Sequence, residues 1–148
     1  MLNLLGMFSL DPFENAFVTA DRLVTEARRS TPVVFVDFHA EATSEKVALA
    51  HYLDGRVTAV LGTHTHVQTA DARVLAGGTA AITDAGMTGP HDSVIGSVPE
   101  GAIKRFTTGM PVRLEAATRG VRLEGALVEC GADGRATACT AVRVELEP

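Results

Sequence analysis

Tryptophan is missing from this 148-residue sequence and aromatic residues make up only 5% of it, so no platform for stacking nucleic-acid bases is expected. Positive charge is also short. Lys and Arg total 13 against 18 Asp and Glu, a formal net charge of −5, and nothing general draws such a chain to a polyanion or an anionic membrane. A phosphate-bearing ligand would need a cation, a helix N-terminus or an arginine at the site itself. No apolar run in the sequence reaches the roughly 18 residues of a membrane span. The apolar stretch at residues 1–10 lacks a basic segment and ends at Asp11-Pro12, so no signal peptide is expected. Cysteine is limited to Cys130 and Cys139; two thiols without zinc-knuckle spacing read as reduced side chains of a cytoplasmic protein. GxGxxG, GxxxxGK[ST] and GxSxG are absent too, which leaves no dinucleotide fingerprint, P-loop or nucleophile elbow.

What remains is globular in character, 46% hydrophobic and 21% charged, on a length that fits one domain or part of one. The pattern alternates strand and helix signals, then turns to strands alone. Residues 2–5 read as a short strand. Asp11 as cap, Pro12 at the first helical position and Glu14 at the third predict a helix start. Phe13, Ala16, Phe17, Ala20, Val24 and Ala27 form its buried stripe, and Arg28 and Arg29 its end. Residues 33–38 are a nearly continuous apolar run, the mark of a strand buried on both faces. Thr43 or Ser44 then caps a second helix through Val47, Leu49, Ala50 and Leu53, closed by Asp54-Gly55. Residues 57–61 give the next buried strand. Two strands joined by one helix are parallel with a right-handed crossover. Their C-terminal ends then share one sheet edge, where open α/β sheets bind ligands. Beyond this unit, residues 73–75 and 79–83 flank Gly77-Gly78 as a hairpin, and residues 84–99 read as a Gly- and Pro-rich loop. Residues 100–107 suggest a short helix. Residues 111–115, 121–129 and 137–147 alternate as antiparallel strands, the last two joined around Asp133-Gly134.

Histidine carries the chemical signal. His39 follows one parallel strand, and His64 and His66 follow the next, so three imidazoles are expected to converge at one sheet edge. Three such ligands suffice for a catalytic metal with an open position. Gly62 lets the backbone approach closely, Thr63 and Thr65 can orient the rings, and Asp37 lies two residues before His39 on the same strand face. Asp84, after an apolar strand, is a further candidate to reach the site. His51 and His91 read as surface residues.

Three segments, DFHAEATSEK at 37–46, GTHTHVQTAD at 62–71 and ITDAGMTGP at 82–90, resemble signatures of the YmdB-like metallophosphoesterases. These are calcineurin-like phosphodiesterases associated with 2′,3′-cyclic nucleotides, and the match runs over essentially the whole chain. The resemblance implies an α/β fold: a β-sandwich flanked by helices in four layers, α/β/β/α. It also implies two divalent metal ions, iron or manganese ahead of zinc or magnesium, with His39, His64 and His66 among the ligands. Such a centre binds phosphoryl oxygens and supports an in-line displacement on a small phosphodiester or cyclic nucleotide.

In that family these motifs belong to the second half of the chain. The Asp, Gly-Glu-Asn and Gly-Asn-His segments of the first half, which carry the remaining ligands and the general-acid histidine, have no counterpart in this sequence. The expectation is therefore the C-terminal portion of one domain: a βαβ part at 1–62, the metal loop, hairpin and Gly/Pro loop at 63–109, and antiparallel strands at 110–148. A complementing N-terminal half or a homo-oligomer is the partner expected, and no catalytic acid is assigned in this chain. The alternatives are a non-catalytic scaffold and a mononuclear metal hydrolase using the three histidines alone.

Overall fold

The computed structural model describes residues 1–10 and 13–146. Its first sheet has five strands in the order β1-β2-β3-β5-β4: β1 Leu2–Leu5, β2 Phe35–His39, β3 Ala59–Thr63, β4 Arg73–Val74 and β5 Ala80–Ile82. The pairs β1–β2, β2–β3 and β3–β5 are parallel, and β4–β5 is the antiparallel hairpin. Alternation along β2 decides what lies on each side. Val34, Val36 and Phe38 join Leu4 and Val60 in a core with Ala16, Ala20 and Val24 of α1 (Ala16–Ala27) and Leu49, Ala50 and Leu53 of the α2 region (α2 is Thr43–Tyr52). Phe35 and Leu61 face the other way, into a smaller cluster with Ala59, Ala80 and Ala136.

That second cluster is closed by a three-stranded sheet, β6 (Gly89–Pro90), β7 (Val121–Cys130) and β8 (Ala136–Glu145), all antiparallel. Val128 and Cys139 of this sheet pack inward on the first. The architecture is thus helix layer, mixed sheet, antiparallel sheet. On the outer face of the second sheet Leu123, Leu127 and Val144 are 45%, 56% and 54% exposed. No helix among the described residues is long and apolar enough to cross a membrane.

Several boundaries differ from the sequence reading. The expected helix start at Asp11-Pro12 lies outside the described residues. Helix α1 begins at Ala16, where the Asn15 side chain accepts N–H bonds from Phe17 at 2.9 Å and Val18 at 3.4 Å. Phe13 therefore precedes the helix and is fully exposed instead of belonging to its buried stripe. Asn15→Ala is expected to cost about 1 kcal/mol, the usual worth of such a cap, seen as a lower Tm; an unchanged Tm would contradict this capping role. Helix α2 has Ala42 at its cap with no side-chain bond, so Thr43 and Ser44 sit inside it. Residues 111–115 are irregular rather than a strand, because their backbone serves the neighbouring loop: Glu115 O accepts from Val98 N, and Ala116 bridges to Ser97. Helix α3 (Pro99–Thr108) and the β7–β8 hairpin appear where expected, with a register shift at Glu129/Cys130; β8 runs over Ala136–Glu145, and the expected strand end at residue 147 lies outside the described residues.

Candidate functional site

Parallel pairing aligns the C-terminal ends of β1, β2 and β3, with His39 level with Thr63 and Leu5. Four polar side chains near this edge form a relay. Asn3 Nδ2 donates to Asp37 Oδ2 at 2.7 Å, Thr63 Oγ1 donates to Asp37 Oδ1 at 3.4 Å, and His39 Nδ1 lies 3.0 Å from Thr63 Oγ1. With the Thr63 hydroxyl proton turned to Asp37, His39 Nδ1 carries the hydrogen and donates to Thr63. The lone pair is then on Nε2. That atom faces His64 Nδ1 at 3.2 Å, the two rings meeting edge-on with centroids 5.1 Å apart.

The loop after β3 holds the second and third histidines under backbone strain. His64 has φ +143° and His66 φ +62°, a region that non-glycine residues rarely occupy and that costs of order 1–3 kcal/mol each when imposed by surroundings. His66 is exposed, and its Nδ1 lies 3.1 Å from the carbonyl of Ile95, itself at φ +46°. A carbonyl can only accept, so His66 also keeps its free lone pair on Nε2. The structure thus brings His39 and His64 together and ties His66 to the loop at 95. Among the described residues no group of three or more His, Cys, Asp or Glu side chains is arranged to hold a metal ion.

The candidate orienting residues divide in the same way. Thr63 touches the His39 ring, and Asp37 acts through Thr63. The Thr65 hydroxyl bonds to Val67 O and its amide to Asp84, so neither reaches an imidazole. Asp84 is 1% exposed, and its carboxylate accepts from Thr65 N at 2.8 Å and Gly86 N at 3.0 Å. Lys46 Nζ stands 3.3 Å from the same Asp84 oxygen that receives Thr65 N. Two imidazole nitrogens 3.2 Å apart are spaced to share one divalent transition-metal ion. A pair of ions needs carboxylate oxygens as well, and the oxygens of Asp37 and Asp84 are engaged by the donors just named.

Several contributors carry no strong sequence signal. Gln68 Nε2 reaches Gly125 O at 3.0 Å and Val142 O at 2.9 Å, fastening the histidine loop to the second sheet. Burial pushes the Asp71 carboxyl up, but hydrogen bonds from Thr69 and Thr83 outweigh it and hold Asp71 below the ordinary carboxylate range. Glu124 is buried on the inner face of β7. It accepts from Met87 N at 3.3 Å and pairs with Arg143 Nε at 3.0 Å, while Arg122 and His91 each lie at 3.8 Å. His91 is therefore not a surface residue: the 84–99 loop folds back over β7, and the His91 ring is 15% exposed. His51 is exposed, as read.

Known proteins share this architecture. A family model described as "YmdB-like protein" matches residues 1–142. A Bacillus subtilis (strain 168) protein named 2′,3′-cyclic-nucleotide 2′-phosphodiesterase is 54% identical over 129 residues, covering 87% of this chain and 49% of that protein. Among solved structures, a hypothetical protein from Thermus thermophilus superposes with a TM-score of 0.91 at 45% identity, over 99% of this chain and 56% of its own. A crystal structure titled as a novel phosphatase from Mycoplasma pneumoniae gives 0.87 at 40% identity, over 97% and 52%. The chain spans about half the length of the curated relatives it matches.

Proposed function

This chain belongs to the YmdB-like protein family, and on that premise we propose that it supplies the histidine side of a metal-dependent phosphodiesterase site acting on a cyclic nucleotide or related phosphodiester. The observation that carries the reading is the relay Asp37–Thr63–His39, which points the lone pair of His39 Nε2 at His64. A ligating imidazole is held in this way, its other nitrogen spent on an outer partner that fixes tautomer and ring orientation. The Ile95 carbonyl does the same for His66.

The proposed cofactor is a pair of divalent ions, iron or manganese, with His39, His64 and His66 as this chain's ligands. Bound there, such ions supply Lewis-acid charge for the phosphoryl oxygens, a supply the acidic protein surface lacks. The chain's own groups do the positioning. Thr63 holds the His39 proton, Gln68 and Asp84 fix the histidine loop, and Gly62 leaves the room in which Lys46 passes behind it. The bridging carboxylates and the proton donor to the leaving group come from further polypeptide, as a complementing half. The same polypeptide would cover the bare outer face at Leu123, Leu127 and Val144 and so complete a fourth layer.

The test is hydrolysis of bis-p-nitrophenyl phosphate and 2′,3′-cyclic AMP with Mn2+, by this chain alone and mixed with the other half of the Bacillus relative. Trace turnover alone and a strong gain on mixing are expected. Turnover by this chain alone at the rate of the full-length relative would refute the shared site. Absence of turnover in the full-length relative as well as in the mixture would refute the phosphodiesterase reading.

A further inference from the structure

Lys46 is 3% exposed on the buried side of α2, a rare place for an ammonium group unless it is paired. Its stem runs beneath β3. A Cβ placed on Gly62 would lie 3.0 Å from Lys46 Cδ and would overlap the carbonyl oxygen of Thr83. Position 62 is thus closed by the Thr83 backbone, and the lysine stem passes it at close contact. At its end Nζ meets Asp84 Oδ2 at 3.3 Å, and that oxygen also receives Thr65 N at 2.8 Å. Thr65 lies between His64 and His66 in a segment where both histidines have positive φ. The other oxygen, Oδ1, receives Gly86 N at 3.0 Å. One buried carboxylate thus ties two loops, and one buried cation balances it.

We propose that Lys46 is a positioning residue for the histidine loop, acting through Asp84 on the Thr65 backbone and so on the placement of His64 and His66. The inference rests on the reading of those histidines as metal ligands. Its physical basis is the cost of an uncompensated buried charge. A carboxylate held only by two backbone N–H groups in a dry interior gains much from a cation at contact distance, and loses its hold when that cation is removed. Without the hold, the strained turn at 64–66 relaxes toward ordinary φ values and the His64 ring swings away from His39.

Amide exchange and Mn2+ binding on the full chain test this. In the unsubstituted protein the Thr65 amide, though in an irregular loop, is expected to exchange as slowly as the amides of β2 and β3; fast exchange there overturns the proposal without any variant. Lys46→Met keeps the stem and removes the charge. It is expected to speed Thr65 and Gly86 exchange at least about tenfold and to weaken Mn2+ binding by about 10–100-fold, the range for groups that orient a metal ligand, while Val36 and Val60 exchange at their original rates. A merely structural lysine would speed Val36 and Val60 by the same factor, and that outcome overturns the proposal. Unaltered Thr65 exchange in Lys46→Met overturns it too. If the unsubstituted chain binds no Mn2+, the metal reading fails, and the Thr65 data still decide whether Lys46 positions the loop.

Discussion

Replacing His64 with alanine is expected to weaken Mn2+ binding by more than about 100-fold, beyond the roughly 10–100-fold loss that follows removal of a group that only orients a ligand. The expectation comes from the 3.2 Å approach of His64 Nδ1 to His39 Nε2: take one ring away and a single imidazole faces the point where two converged. Titration by isothermal calorimetry or Mn2+ electron paramagnetic resonance measures it. Far-UV circular dichroism should stay unchanged, because the His64 side chain is not part of either core cluster. His91→Ala is the control. His91 is held against Met87 O and near Glu124, away from the paired rings, and its loss should leave Mn2+ binding within about twofold, a difference of under about 0.5 kcal/mol. Equal affinity in His64→Ala and His91→Ala would remove His64 from the site.

The second large effect is on stability. Gly62→Ala puts a methyl into the carbonyl oxygen of Thr83 and against Lys46 Cδ. Backbone cannot swing aside as the tip of a side chain can, and β3 is joined to this segment by Ala85 N donating to Gly62 O at 2.8 Å. The strands must part. A cost of about 3 kcal/mol is expected, the upper end of the usual overpacking range, and with a urea slope of about 1.5 kcal/mol/M it lowers the unfolding midpoint by roughly 2 M. Gly125→Ala provides the contrast, since a Cβ there meets nothing within 4 Å; it should be neutral or slightly stabilising. An equal response in the two variants would show that the close approach at position 62 carries no energetic weight.

The strand–helix–strand unit was legible because its signals are local. A β-rich apolar run, a helix of about three turns and a second apolar run admit one handedness and one ligand edge. His39 and His64 meet where that logic puts them. The start of α1 was not legible, because two capping groups compete within a few residues and Asn15, not Asp11, lies next to Ala16. The fate of Phe13 followed from that choice. Residues 111–115 have the alternation of a strand, but strand pairing needs a neighbour, and here the neighbour is a loop. Lys46 and Gln68 are not legible in the sequence for a shared reason. A lysine or glutamine on a polar segment reads as solvated until the fold supplies the acceptors, and those acceptors, Asp84, Gly125 and Val142, are 38, 57 and 74 residues away in sequence. The far side of the site, including the divergence of His66 toward Ile95, depends on a loop at 84–99 whose course no periodicity describes.

The β7–β8 hairpin also sets an order in time. Its strands pair across a short turn at Asp133-Gly134, whereas each parallel pair in the first sheet must close a loop that contains a helix or a hairpin. Hairpin formation takes about 1–10 μs, while pairing of distant segments is slower by orders of magnitude. A two-stranded ribbon alone is only marginally stable in water, so this one is expected to form and melt repeatedly until β3 and β5 offer it a surface. During that interval Val128 and Cys139 on one side and Leu123, Leu127 and Val144 on the other are wet together. Packing against the first sheet hides only the first group. The ribbon is then open to encounters between incompletely folded chains, and the yield of soluble protein should depend on how soon its outer side finds cover.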